Sequence, residues 1–144
     1  MVKKDLQSLI RLRKWEVDEK QRGLAVLLRK EEAIIERQVA LEEEIRREVA
    51  HTSEVPAEQQ FTFAAYLERC GGYREELEDT LNEVRRLGEV AQEELSEAFR
   101  QLKPIEETQK LRDVEGEKQE SRQEQEDLDE VGLNLHRRRK QRIL

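Results

Sequence analysis

The chain has 144 residues, 42% of them charged and 35% hydrophobic, with two Pro and six Gly. This lacks the apolar content of an ordinary globular core and leaves either disorder or an extended helical assembly. Disorder calls for Pro, Ser and Gly in quantity, whereas Glu, Arg, Leu, Gln, Ala and Lys dominate here and favour helix. The net charge of −7 argues against general nucleic-acid binding, which needs a basic stripe to neutralise phosphates. The longest apolar run, LAVLL at residues 24–28, is too short to cross a bilayer, and no apolar signal segment follows Lys3-Lys4. The chain is expected to stay in the compartment where it is made. One cysteine, Cys70, excludes an internal disulfide and fits a reducing cytosol.

In chain order, a first helix is expected over about residues 3–51. Ile10, Val17, Leu24 and Ile45 fall on one heptad position, and Leu6, Leu27, Ile34 and Leu41 on the other, which is a coiled-coil seam. Arg13, Lys20, Glu31, Gln38 and Glu48 interrupt the same two tracks; such residues weaken pairing but set register. Trp15 stands just off this seam as a packing residue. A break follows near residues 51–56, where Thr52 and Ser53 can cap a following helix and Pro56 suits a turn or a first helical turn. A turn and short helix are expected over about residues 52–72, ended by Gly71 and Gly72.

A second long helix is expected over about residues 73–141. Leu77, Leu81, Val84, Gly88, Ala91, Leu95, Ala98, Leu102 and Ile105 step alternately by four and three. Gly88, Ala91 and Ala98 make this seam thin enough for close helix approach. Pro104 predicts a kink, with the periodicity changing phase and resuming through Leu111 and Val114. The fold class is therefore all-α: a long antiparallel two-helix coiled-coil hairpin with a short helix at the turn end, forming one domain over residues 1–144. Both termini would lie at one basic end, because residues 1–22 carry seven positive and four negative charges and residues 136–144 carry five positive and none negative.

Between Gly116 and Asp127 the apolar stripe disappears for twelve residues. In an antiparallel hairpin this acidic stretch is expected opposite Arg11, Arg13, Lys14, Lys20 and Arg22, with charge complementarity standing in for the stripe. As a solvated helix it would draw support from close pairs such as Arg122 with Glu126. Beyond it, Leu128, Val131 and Leu135 restore an apolar face.

Nothing in the pattern carries catalysis. Acid-base chemistry needs carboxylates held in a dry cleft that separates their pKa values, and a two-helix hairpin has none. His51 and His136 are far apart, no metal-ligand cluster exists, and CGGY at 70–73 lacks the Lys-Ser/Thr of a phosphate loop. The expectation is a non-enzyme without cofactor or metal. The basic segment HRRRKQR has three readings: a charged end that suits the helix dipole, a docking end for an acidic protein cavity, or a nucleic-acid or lipid patch. Phe61, Phe63, Tyr66 and Tyr73 crowd into thirteen residues at the turn end. They either pack the tip or stay exposed as partner-binding candidates.

The segments LQSLIRLRKWEVDEKQRGLAVLLRKEE and EKQESRQEQEDLDEVGLNLHRRR, on a helical hairpin of this length, resemble the FliJ family of flagellar type III export proteins. The Gln/Glu run ending in Leu128, Asp129, Glu130 and Val131 is the most family-like part. The resemblance implies a cytoplasmic component of the export apparatus, peripherally associated with the membrane and similar in shape to the central stalk of rotary ATPases. Its paired termini would dock in a hexameric export ATPase, and its other end would reach the export gate membrane protein, with escort of export chaperones as a further role. The ATPase-docking candidates are then Arg11, Arg13, Lys14, Arg137, Arg138, Arg139 and Lys140. No nucleic-acid partner and no direct membrane insertion are expected. The rival readings are a coiled-coil adaptor or chaperone for export clients, the equivalent stalk of a virulence type III secretion system, and a nucleic-acid-associated rod that uses the basic tail.

Overall fold

The computed structural model describes residues 6–54 and 56–143. Two long helices account for nearly all of them: α1, Gln7–Thr52, and α2, Gln60–Ile143, with a single 3-10 turn, Ala57–Gln59, between. There is no strand among the described residues, and the fold is an all-α antiparallel helical hairpin.

The connection forms for local reasons. The last four carbonyls of a helix lack intrahelical N–H partners; here Ser53 supplies one for Ala50, and Thr52 bonds back onto the turn before it. Thr52 Oγ1 donates to the Glu48 carbonyl at 2.6 Å and Ser53 Oγ to the Ala50 carbonyl at 2.7 Å. Both hydroxyls thus close α1, contrary to the expectation that they cap the next helix; the carbonyls three and four residues back lie within their reach. Pro56, at φ −58° and ψ 150°, precedes the 3-10 turn, which has no side-chain cap.

Gly71 and Gly72 also depart from expectation. They do not end a short helix: α2 begins at Gln60 and runs through both. Glycine costs a helix interior roughly 0.5–1 kcal/mol relative to Ala, but Cys70 beside them is buried against α1, and packing outweighs that cost. The helix likewise continues through Pro104, where Thr108 Oγ1 donates to the Pro104 carbonyl at 2.8 Å.

The described chain divides into two compact units. In the unit Trp15–Phe99, the core at the turn end is Leu41, Ile45 and Cys70, with Tyr66 and Leu77 packed against it. Farther along, Val17, Leu81, Val84 and Ala98 are buried. The polar residues of the first seam fall where register is set. Gln38 Nε2 donates to Glu78 Oε2 at 3.2 Å, Arg85 Nε to Glu31 Oε1 at 3.0 Å, and Lys20 Nζ to Glu94 Oε2 at 2.9 Å. Arg74 grips Glu42 with two nitrogens, Nη2 at 2.8 Å from Oε2, and this bond holds the Glu42 carboxyl below its ordinary value. From Glu42–Arg74 through Gln38–Glu78 to Glu31–Arg85, both helices advance by the same four and then seven residues, so the heptads stay in step. Gly88 does not admit a closer helix, since a Cβ added there meets nothing within 4 Å.

The other unit joins Met1–Lys14 to Arg100–Leu144. Ile10 and Leu102 are its buried hydrophobics. Arg13 Nη1 donates to Gln101 Oε1 at 3.0 Å, and the Leu6 backbone N–H to Gln109 Oε1 at 3.3 Å. The α2 seam does not change phase after Pro104. Ile105 and Gln109 continue the four-residue step as half-buried positions, while Leu111 and Val114 face outward at 72% and 48% exposure. A polar seam residue, Gln109, keeps the register because its amide bonds the start of the first helix.

Candidate docking surfaces

The register decides what the acidic stretch can touch. Leu6 stands at Gln109, so residues 116–127 lie past the described start of α1 and do not face Arg11, Arg13 or Lys14; Lys20 pairs with Glu94 instead. The apolar stripe vanishes there because no helix packs against it among the described residues. Every residue from 117 to 142 is exposed.

This tail, residues 117–142 of α2, is held by its own side chains. Gln123 Nε2 donates to Asp127 Oδ1 at 3.1 Å and Gln125 Nε2 to Asp129 Oδ1 at 3.2 Å, continuing a pattern begun by Gln109 and Asp113 at 2.9 Å. Such i,i+4 bonds contribute about 0.2–0.5 kcal/mol each. Among the described residues the expected Arg122–Glu126 pair does not form, and the Gln-to-Asp bonds take its place.

The seven basic candidates form two clusters. Arg11 and Lys14 are exposed and Arg13 is half-buried against Gln101, whereas Arg137, Arg138, Arg139 and Lys140 are all exposed near the end of α2. Counting from Gln101 to Arg137, the second cluster lies about 54 Å farther along α2 at the helical rise of roughly 1.5 Å per residue. The antiparallel arrangement puts both clusters in one unit without bringing them together.

The four turn-end aromatics divide evenly between the two readings. Phe63 and Tyr66 are half-buried and stacked, with centroids 6.1 Å apart at 28°. Tyr66 also packs on the Leu41, Ile45 and Cys70 core; its hydrogen bond to Cys70, with partial burial, pushes its hydroxyl above the ordinary value. Phe61, 89% exposed, and Tyr73, 55% exposed, remain outside. Trp15 is 59% exposed, so it is not the packing residue expected of it.

Sequence reasoning passed over Cys70 as a core residue. The signal was present, since Cys70 lies seven residues before Leu77 on the same track. The loss of the apolar stripe between Gly116 and Asp127 was likewise the sign that no helix packs on this part of the tail.

Among the described residues no group of His, Cys, Asp and Glu is placed to hold a metal ion, and no helix is long and apolar enough to cross a membrane. The tail exposes an acidic stretch followed by the basic Arg137, Arg138, Arg139 and Lys140. Comparison with known families finds that the family model described as the flagellar FliJ protein matches residues 2–141. No curated protein and no solved structure matches significantly.

Proposed function

We propose, for a chain that belongs to the flagellar FliJ family of export-related proteins, that it acts as a stalk-like coupling component docked in a hexameric export ATPase. The observation that carries this reading is the exposed basic segment Arg137–Lys140, displayed on a tail that nothing else in the described chain covers. Long-range charge attraction favours its entry into an acidic cavity and speeds encounter. Arg11, Arg13 and Lys14, set back along the same unit, would meet the rim of such a cavity rather than its interior. The tip, with Phe61 and Tyr73 exposed, would contact the export gate membrane protein, and residues 1–144 would act as one coiled-coil unit between the two. On this reading the protein works in the cytoplasm, peripherally associated with the export apparatus, and has no active site of its own. Escort of export chaperones is a further role open to the exposed helix faces.

Reversing the four bases together (R137E, R138E, R139E and K140E) is expected to abolish binding to the hexameric ATPase, measured by titration calorimetry, with the native chain losing affinity as salt rises. Binding that survives the reversal and ignores salt would rule the reading out. The exposed Phe61 and Tyr73 also suit a second reading, an adaptor for export clients.

A further inference from the structure

Within the tail, Leu128, Val131 and Leu135 stand at i, i+3 and i+7 and therefore share one helix face. They are 66%, 55% and 56% exposed. The same face continues upstream through Glu124, with Glu120 a further turn away, and downstream through Arg138 and Arg142. The order along the helix is thus acidic, apolar, basic, and the apolar part is nearly symmetric about Val131.

That order is self-complementary in one direction only. A second helix laid antiparallel across Val131 brings Val131 against its own copy and Leu128 beside the copy's Leu135. The same two-fold sets Glu124 opposite Arg138 and Glu120 opposite Arg142, each pair occurring twice. A parallel copy instead sets acids on acids and bases on bases. A two-fold self-contact of this kind is the commonest way proteins form dimers.

We propose that the tail is an interaction surface for a second copy of this chain, the two tails pairing antiparallel about Val131. Charge complementarity selects a second copy as the occupant, and each copy leaves its apolar triad uncovered. Helix pairing around a short apolar seam with flanking opposite charges needs no other element. The inference does not depend on ATPase docking. If the docking reading holds, the paired form covers Arg138 and flanks the docking segment, so self-pairing and docking compete.

Sedimentation equilibrium of the full chain at low salt, over a wide concentration range, tests it. The native chain is expected at twice the monomer mass at high concentration. R138E/R142E and E120R/E124R are each expected at the monomer mass, because each sets like charges opposite one another; mixing the two variants restores a dimer containing one of each. All four positions are exposed, and far-UV circular dichroism checks that the helices persist. A native chain that stays monomeric overturns the proposal and leaves the face to a different partner. A dimer that survives both reversals, or two monomeric variants that do not pair on mixing, also overturns it. ATPase binding is not read in this experiment, so the two proposals fail separately.

Discussion

Gly71 and Gly72 sit in the interior of α2, where an added Cβ meets nothing within 4 Å. Neither has a positive φ, so nothing in the backbone requires glycine at these positions. Replacing either with Ala is expected to raise unfolding free energy by roughly 0.5–1 kcal/mol, read from urea denaturation, because it limits the unfolded chain and adds helix propensity. An unchanged or lower stability would mean that the Cys70 packing needs a more flexible backbone beside it. The polar seam residues differ in kind. Glu31, Gln38 and Lys20 each reach a partner across the hairpin, but exposed pairs of this type contribute about 0–1 kcal/mol. Their effect lies in choosing one register over its neighbours, since a slip of one heptad would separate every pair at once.

For the helices as elements, burial follows pairing closely. α1 and the first part of α2 place Ile10, Val17, Leu41, Ile45, Leu81, Val84, Ala98 and Leu102 in the seam, while the tail buries none of its large apolar side chains. Helices of limited length owe most of their stability to an apolar face packed on a neighbour. The tail instead relies on its Gln-to-Asp bonds and on continuity with a packed helix. Ending the chain after Glu115 is therefore expected to leave the unfolding free energy of the dilute, unpaired chain within about 0.5 kcal/mol of native, the range of surface changes that remove no packing. A loss of several times that amount would show that the tail supports the hairpin.

For the molecule as a whole, the two exposed regions separate cleanly in chemistry: an aromatic tip with Phe61 and Tyr73 free, and a tail whose sign changes from acidic to basic. In a coupling role each must act without the other's contact. F61A/Y73A is expected to weaken binding to the gate partner at least tenfold, the loss of about 1.4 kcal/mol or more seen when an interface aromatic is truncated, while ATPase affinity stays unchanged. Equal loss of both affinities, measured by calorimetry on each partner, would point to a single shared surface.

The residue pattern by itself determined the helical class, the two seams and the family resemblance, because heptad spacing is local and survives without knowledge of the partner. Leu77 to Ile105 could be read as one face from their alternating steps alone, and that face is the one found buried or half-buried. Only the tertiary structure decided the rest. Where Leu6 meets Gln109 fixes how far α1 runs beside α2, and from that follow the unpartnered acidic stretch, the separation of the two basic clusters and the outward Leu111. The division of the aromatics, with Tyr66 inside and Phe61 outside, depends likewise on Leu41 and Ile45 from the other helix. Register and end-to-end overlap are set by contacts between residues distant in sequence, and a periodic helix presents the same face at every possible offset.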